Sequence, residues 1–261
     1  MLEEVRSLGA PGLLLLTDGA FLPGRRVLCT FIMAALKRGE HVHIFGFEVP
    51  KEEFCAGIPP ELSPSLVYHD GFLDPLGWEK SLHLLTLCDL SVRGIQERVG
   101  DRSGTVTLVL DSLSWILARR PLHAVCHMLR ELSRGETRVV ALIHTDLHPP
   151  GLLRSLTLLA DSIISLTDSG GTLTAHLTQR KRSGRVVTQK EPFRVCDDFS
   201  LETVRKVERE AEDMVQVRVY VLGEGYFPIL GCSFRVTNSV EVDGKLEHFC
   251  RGHKFVRGKV V

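Results

Sequence analysis

Two glycines, spaced five apart between an apolar run and a segment of helical character, constrain the fold of this chain more than any other feature. The apolar run is Leu13–Leu16, and the helix-compatible segment is Val27–Leu36. Gly19 and Gly24 lie between them. This arrangement is the frame of the phosphate-binding loop GxxxxGK[ST], in which a strand leads through a glycine turn into a helix. The frame predicts an α/β fold with a mostly parallel sheet flanked by helices.

The residues after the second glycine depart from that motif. In a working loop the Lys contacts the β- and γ-phosphates and the Ser/Thr hydroxyl holds Mg²⁺. Here Arg25 and Arg26 occupy those two positions. Arg26 offers no oxygen to a metal, and Pro23 removes one N–H group from the loop. We therefore predict a degenerate nucleotide-binding loop, while an ordinary Gly/Pro turn between strand and helix remains the alternative.

Composition narrows the class of protein. The chain has 261 residues, no net charge and 44% hydrophobic residues, which suits a globular protein with a substantial core. The charge balance argues against a generally basic surface for nucleic acid, so any such site must be local. No apolar run approaches the roughly 20 residues needed to span a bilayer, and the acidic start of the sequence is unlike a secretory signal. Seven scattered cysteines without a C-x-x-C pair predict reduced thiols.

Two acidic residues are candidates for the remainder of a nucleotide site. Asp111 follows the buried strand predicted at 105–110, where P-loop proteins place the carboxylate that holds Mg²⁺. Its alternative role is the N-cap of the following helix. Glu48 follows the strand predicted at 41–45 and is the best candidate for a base, although we favour a solvent-facing acid in a loop. His144 and His148 have i, i+4 spacing, but no second ligand pair accompanies them, so we predict no metal site.

A cluster of basic residues marks a second candidate site. Strand-like segments at 173–179 and 185–189 flank a turn, which predicts a β-hairpin with a basic tip. Such a tip can contact backbone phosphates without reading sequence, and a solvated turn is the alternative. The residues proposed for this contact are Arg180, Lys181, Arg182 and Arg185. The pair Arg119 and Arg120 is a weaker candidate, either for the same role or as an arginine finger for a neighbouring subunit.

Several stretches resemble the family of the fifth subunit of the Elongator complex. The segment 67–78, VYHDGFLDPLGW, resembles the family's signature, and 110–117, LDSLSWIL, is similar at the next characteristic place. The segments 41–49 and 198–201 agree in order and spacing. The resemblance covers roughly residues 10 to 205.

The resemblance implies a RecA-like fold without a working P-loop and a non-catalytic role. It implies that Gly19, Gly24, Arg25, Arg26 and Asp111 form a degenerate nucleotide-binding site. The family's fourth, fifth and sixth subunits form a hetero-hexameric ring, two copies of each, that binds tRNA and supports modification of the wobble uridine, U34. The implied partners are therefore those two subunits, the other Elongator subunits and tRNA, with no membrane. The chain would need no cofactor of its own, with ATP only at ring interfaces, and would be cytoplasmic and nuclear.

The sequence divides into two predicted parts. Residues 1–200 form the RecA-like domain, and 201–261 form a C-terminal extension that begins with a helix and is otherwise uncertain or disordered. The helix is predicted from Leu201, Val204 and Val207, which share one face with later apolar residues. The family subunit usually ends in an acidic tail, whereas residues 216–261 resemble nothing in it.

Two other functions remain open at this point. In the first, the chain is an active nucleoside triphosphatase in which Arg25 replaces Lys, Asp111 holds the metal and Glu48 is the base. In the second, it is a stand-alone nucleic-acid-binding protein that uses the hairpin.

Overall fold

The computed structural model describes residues 2–22, 24–78, 84–100, 104–168, 171–181 and 183–204, and beyond them the backbone of seven strands. The chain divides into two compact units, Met1–Arg205 and Lys206–Val261. No helix within the described ranges is both long enough and apolar enough to cross a bilayer.

The first unit is built on one mixed sheet of nine strands in the order β3-β2-β4-β5-β1-β6-β7-β8-β9. The strands are β1 (Gly12–Asp18), β2 (His41–Gly46), β3 (Leu66–Asp70), β4 (Val106–Leu110), β5 (Arg138–His144), β6 (Ser162–Asp168), β7 (Leu173–Arg180), β8 (Val186–Val195) and β9 (Leu201–Thr203). The first six pair in parallel, and β7 to β9 extend the sheet as antiparallel strands.

Helices cover both faces of this sheet. They are α1 (Leu2–Leu8), α2 (Gly24–Lys37), α3 (Lys51–Phe54), α4 (Val92–Val99), α5 (Leu113–Leu117), α6 (Leu122–Leu132) and α7 (Pro150–Leu159), with 3-10 turns at Pro60–Ser65, Leu87–Asp89 and Thr145–Leu147. The apolar residues of α1 and α2 pack on one face, and those of α4 to α7 pack on the other. The predicted α/β architecture is therefore confirmed.

The position of β1 in the centre of the sheet explains its continuous apolar run. It pairs with β5 on one side and β6 on the other, and its residues alternate between the two apolar clusters. Strands buried on both faces carry continuous apolar runs in place of alternating ones. This accounts for the run Leu13–Leu16, each of whose side chains is buried.

The predicted hairpin is also present. Arg180 of β7 pairs with Val186 of β8, and the Lys181 N–H donates to the Arg185 carbonyl at 2.9 Å. Gly184 closes the turn with φ +79°, a backbone conformation that favours glycine. β8 continues to Val195, well beyond its predicted end.

Two predicted helices differ from the structure. Among the described residues of the helical pattern at 76–98, the α-helix is confined to Val92–Val99, and the chain turns at 76–78. Gly77 has φ +73°, and the Asp74 carboxylate accepts the Trp78 N–H at 3.0 Å. Local carboxylate–backbone bonds of this kind compete with helix formation.

The second difference is at the predicted start of the C-terminal extension. Leu201–Thr203 is the edge strand β9, paired with β8, where the sequence predicts a helix. The Thr203 hydroxyl donates to Glu191 of β8 at 2.6 Å, which helps to hold this pairing. The rest of the predicted helix lies outside the described residues.

The second unit is described by its backbone strands alone. Five of them form one antiparallel sheet in the order β10-β13-β14-β15-β16, and β11 pairs with β12. Their bounds are β10 (Arg218–Tyr220), β11 (Gly225–Ile229), β12 (Cys232–Val236), β13 (Asn238–Val242), β14 (Lys245–Cys250), β15 (His253–Val256) and β16 (Lys259–Val260). The extent of the two predicted domains stays a prediction.

Candidate functional site: a degenerate nucleotide-binding edge

Two candidates from the sequence, Asp111 and Glu48, lie with Asp18 and His144 at the carboxyl ends of the parallel strands. Asp18 ends β1, Asp111 follows β4, and His144 ends β5. Glu48 lies two residues beyond β2. In open α/β sheets ligands bind in the crevice outside these carboxyl ends. The sequence therefore places its candidates at the edge where a nucleotide would bind.

The backbone of the glycine loop is bonded to the protein itself. The Leu22 N–H donates to the Gly19 carbonyl at 2.9 Å, and the Gly24 N–H donates to the Leu22 carbonyl at 3.0 Å. The Ala20 N–H donates to a carboxylate oxygen of Asp146 at 3.0 Å. A phosphate-binding loop instead points such N–H groups at its ligand. Pro23 lies outside the described residues.

The carboxylate of Asp18 leaves no room for a side chain at Gly24. A Cβ atom at this position would overlap the carboxylate of Asp18 and come within 2.9 Å of Leu142 Cδ1. Asp18 is buried and hydrogen-bonded, so it cannot move aside. Around Gly19, by contrast, the space is open. The second glycine of the motif thus serves packing at the start of α2.

His144 joins two carboxylates at the centre of this edge. Its Nδ1 lies 2.6 Å from Asp18 Oδ1, and its Nε2 lies 2.8 Å from Glu48 Oε1. The hydrogen bond to Asp18, followed by that to Glu48, raises the pKa of His144 to about 10. At neutral pH the ring is therefore an imidazolium that donates from both nitrogens.

The Glu48 carboxylate is hydrogen-bonded to two cationic side chains and one hydroxyl. Burial disfavours its charged form, but hydrogen bonds from His144, Ser112 and Arg25 outweigh burial and lower its pKa to about 2. Arg25 Nη2 lies 3.1 Å from Glu48 Oε2, and Arg25 Nη1 lies 3.6 Å from Glu53. A carboxylate held in this way is a weak base, because its proton affinity is low.

Asp111 holds the end of β2. It is buried, and its carboxylate accepts the Phe47 N–H at 2.9 and 3.0 Å and the Glu48 N–H at 3.2 Å. Burial raises its pKa to about 7 despite these bonds. The alternative prediction, that Asp111 caps the next helix, is wrong: Ser112 is the N-cap of α5, and its hydroxyl accepts the Trp115 N–H at 3.1 Å.

Arg26 lies in the position of the metal-binding hydroxyl and faces another part of the fold. Its Nη2 lies 3.0 Å from Asp197 Oδ1 and 3.4 Å from the Cys196 carbonyl. These two residues belong to the turn between β8 and β9. Arg26 therefore ties the beginning of α2 to the edge of the sheet.

Two residues of the network were not predicted from sequence. Asp18 and His144 are separated by more than a hundred residues, and the only available signal was that each ends a buried strand. His144 and His148 do not share a helix, because a 3-10 turn separates them. His148 Nε2 contacts the Ser114 hydroxyl at 2.9 Å. Across the described ranges no group of three metal-ligating side chains occurs.

Exposed apolar residues surround this same edge. Trp78 is 81% exposed and Leu73 is 66% exposed, both in the loop after β3. The loop is held in place, since the Asp70 carboxylate accepts the Phe72 and Leu73 N–H groups at 2.9 and 3.1 Å. We call this set the apolar rim, and it comprises Phe21, Phe72, Leu73, Leu76, Trp78 and Leu147.

The tip of the basic hairpin lies at the opposite ends of the parallel strands, away from the residues described above. Gln179 pairs with Ser162, the first residue of β6, so the tip lies beside the amino ends of the parallel strands. Arg180, Lys181 and Arg185 are exposed there, whereas Arg182 lies outside the described residues. The two groups of predicted site residues therefore do not form a single site.

Arg119 and Arg120 differ in their surroundings. The Arg119 guanidinium carbon lies 3.8 Å from the centre of the Trp115 ring, on an exposed surface. Arg120 Nη2 donates to the carbonyls of Leu87 at 2.9 Å and Leu90 at 3.4 Å. Arg120 is thus part of the packing, and only Arg119 is placed to reach another molecule.

Two archaeal proteins of known structure have a similar fold. The flagellar accessory protein FlaH from Methanocaldococcus jannaschii aligns with a TM-score of 0.55 and 16% identity, over 77% of this chain and 95% of its own. A KaiC-like protein from Pyrococcus horikoshii OT3 aligns with a TM-score of 0.51 and 18% identity, over 75% of this chain and 90% of its own. At these identities the similarity concerns the fold, and it confirms the predicted RecA-like class.

Sequence comparison gives a closer relationship. Residues 6–176 match the family model described as Elongator subunit Iki1. Elongator complex protein 5 from Danio rerio is 35% identical over 212 residues, covering 79% of this chain and 71% of the relative. Elongator complex protein 5 from Homo sapiens is 35% identical over 214 residues, covering 77% and 70%. The chain belongs to the Elongator subunit 5 family.

Proposed function

We propose that this chain is a non-catalytic subunit of Elongator. It occupies a hetero-hexameric ring with the fourth and sixth subunits, and the ring binds tRNA and supports modification of the wobble uridine. Family membership supports other Elongator subunits as its partners. We place the protein in the cytoplasm and nucleus, as for a tRNA-modifying assembly.

The main support for a non-catalytic role is that the charged groups at the carboxyl ends of the strands are paired with one another. We call Asp18, Arg25, Glu48 and His144 the ion network. The His144 imidazolium lies between the carboxylates of Asp18 and Glu48, and Arg25 forms a second ion pair with Glu48. Phosphates need free N–H groups and cations, and Mg²⁺ needs oxygen ligands. The loop N–H groups of Ala20, Leu22 and Gly24 are already bonded, and Arg26 supplies no oxygen. These residues do not fit a nucleotide with its metal, so we propose that ATP binds only at ring interfaces.

The apolar rim supports a partner at this edge. Several large apolar side chains exposed at the same ends of the strands favour contact with another protein there. Aromatic anchors such as Trp78 are enriched among the residues that dominate binding energy. A neighbouring subunit packed against the carboxyl edge would remove this surface from water.

The basic hairpin supports contact with tRNA at the other edge. Its exposed arginines and lysine project beyond the sheet and would contact phosphates independently of sequence. Because the two edges are opposite, a subunit packed at the apolar rim leaves the hairpin accessible.

The decisive experiment is reconstitution of the ring. The full chain is co-expressed with the fourth and sixth subunits, and the mass of the purified assembly is measured by native mass spectrometry. We expect the mass of two copies of each subunit. A chain that stays monomeric in the presence of both partners would refute the proposal.

A second experiment separates the non-catalytic role from ring membership. Isothermal titration of the isolated chain with Mg·ATP should show no binding, and steady-state assays should show no hydrolysis. The double variant Arg25→Lys/Arg26→Thr restores the motif and is the matched comparison. Hydrolysis by the unmodified chain, abolished by Asp111→Ala, would establish the competing triphosphatase function.

A further inference from the structure

The tip of the basic hairpin carries a serine directly after three consecutive basic residues. Ser183 follows Arg180, Lys181 and Arg182 in the sequence, and it is exposed in the turn that joins β7 to β8. The space around the next residue, Gly184, is open. An exposed hydroxyl group at a loop tip is accessible to an enzyme that modifies it.

The charges before Ser183 distinguish it from the other hydroxyl groups of the chain. Kinases of the basophilic class bind a substrate through acidic side chains that pair with cations three and two residues before the modified hydroxyl. An Arg three residues before a Ser or Thr also occurs elsewhere in the sequence, but in those places the two intervening residues are not basic. They are Thr105, Ser133, Thr137, Thr157 and Thr188.

The turn at the tip can open to present the extended segment that a kinase binds. Two backbone hydrogen bonds close it: the Gly184 N–H donates to the Lys181 carbonyl at 2.8 Å, and the Lys181 N–H donates to the Arg185 carbonyl at 2.9 Å. Ser183, Gly184 and Arg185 are already exposed, so opening exposes little further apolar surface. Segments with exposed backbone bonds and few packed side chains are the parts of a fold that open most readily.

A phosphate on Ser183 changes the charge of the surface proposed to contact tRNA. Phosphoserine carries about 1.5 to 2 negative charges at pH 7. Arg180, Lys181 and Arg185 are exposed at the same tip, so the phosphate can pair with these cations. The cations are then less available to RNA phosphates, and the added negative charge repels those phosphates.

We propose that Ser183 is a phosphorylation site for a basophilic serine/threonine protein kinase, and that its phosphate weakens the contact of the hairpin with tRNA. The Ser183 hydroxyl oxygen attacks the γ-phosphorus of ATP held by the kinase. The bond from that phosphorus to the β-phosphate oxygen breaks, ADP leaves, and the hydroxyl proton passes to a carboxylate of the kinase. The modification depends on the hairpin alone, whereas its regulatory effect rests on the function proposed above.

The first test measures the modification on the full chain. The protein is incubated with Mg·ATP and the catalytic subunit of cyclic-AMP-dependent protein kinase, a basophilic enzyme, and its mass is measured intact and after fragmentation. We expect one phosphoryl group, on Ser183, that is lost in Ser183→Ala and retained in Ser133→Ala. Ser133 is the matched control, because Arg130 lies three residues before it but its hydroxyl donates to the Arg130 carbonyl at 3.3 Å. An unmodified chain, or equal phosphorylation of Ser183→Ala, would overturn the proposal.

The second test compares tRNA binding by the reconstituted ring with and without this phosphate. We expect weaker binding and a logarithmic salt slope that is smaller by about one to two, measured by filter binding. The ring that carries Ser183→Ala should bind equally well before and after treatment with the kinase. A phosphorylated ring with unchanged affinity and slope would refute the regulation. A ring that binds no tRNA in either state would refute the tRNA function and the regulation together, while the mass measurement still decides the modification.

Discussion

At the level of single residues, the two arginines of the loop have become structural. Arg25 pairs with Glu48, and Arg26 pairs with Asp197 in the turn between β8 and β9. The Arg25 side chain is more than a third exposed, so its pair with Glu48 contributes about 0–1 kcal/mol, and the Arg26–Asp197 pair is weaker because Asp197 is fully exposed. The larger effect belongs to His144, which lies between two carboxylates, one of them buried. This histidine, more than either arginine, holds the nucleotide edge closed.

His144 should make the stability of the protein depend on pH in a specific direction. Its pKa is about 10 in the folded protein, against an ordinary value of 6.5. The stabilisation is therefore complete below about pH 6.5 and is lost as the pH rises through 10. We expect the difference in unfolding free energy between the natural protein and His144→Gln to fall by about 4 kcal/mol between pH 6 and pH 9.5.

Urea unfolding at several pH values in this range measures that difference. Asp111, whose pKa is about 7, is present in both proteins, so its titration cancels. His148→Gln is the matched control, because burial, and then the charge of His144, lower the pKa of His148. A neutral histidine contributes no such slope above pH 6.5. A difference for His144→Gln that is constant with pH would show that its imidazolium is not the stabilising form.

The residues of this site were only partly predictable from sequence. Gly19 and Gly24 were predicted because a motif fixes their spacing, and Asp111 because it follows a buried apolar strand. The network also needs His144 to approach Asp18, and that pairing arises from the parallel alignment of β5 with β1. No local pattern encodes which strands become neighbours, so the group that closes the site could not be identified from spacing.

At the level of elements, the loop after β3 combines rigidity with exposed apolar surface. Asp70 and Asp74 bond its backbone, and this is also why the helical pattern at 76–98 fails in its first part. Periodicity in the sequence indicated a buried helix face, whereas Leu76 and Trp78 are exposed and only Leu85 of the described part before α4 is fully buried.

Trp78→Ala should weaken ring assembly without weakening the fold. Because the side chain is largely exposed, the free energy of unfolding should change by less than about 0.5 kcal/mol. Loss of an aromatic anchor at an interface costs about 2 kcal/mol or more, so the dissociation constant should rise at least roughly tenfold. Sedimentation of the reconstituted ring over a dilution series measures this change.

Leu158→Ala supplies the control for this variant. Leu158 is 57% exposed but lies on α7, away from the apolar rim. It should leave assembly unchanged. Equal loss of assembly in both variants, or in neither, would argue against a partner at the carboxyl edge.

The hairpin should contribute charge to tRNA binding. Replacing Arg180, Lys181 and Arg185 by Ala in the reconstituted ring removes up to three phosphate contacts per copy. We expect weaker tRNA binding and a salt dependence whose logarithmic slope is smaller by about two. Filter binding at several salt concentrations measures both quantities.

A charge-matched variant tests whether the effect is local. Arg93, Arg130 and Arg134 are exposed on α4, on α6 and just beyond α6. Replacing these three by Ala removes the same charge from a different surface. If this variant weakens tRNA binding as much as the hairpin variant does, the hairpin is not the contact.

At the level of the whole molecule, the proposed functions all lie in the first unit. The ion network, the apolar rim and the hairpin belong to residues 2–204, and both apolar clusters of the core lie within the same range. A unit with its own core can fold by itself.

We therefore expect a chain ending at Arg205 to replace the full chain in the ring, with the same stoichiometry by native mass spectrometry and tRNA affinity within a factor of about two. Its melting temperature should match the main transition of the full chain. A shortened chain that is folded by circular dichroism but excluded from the ring would instead assign a necessary contact to residues 206–261.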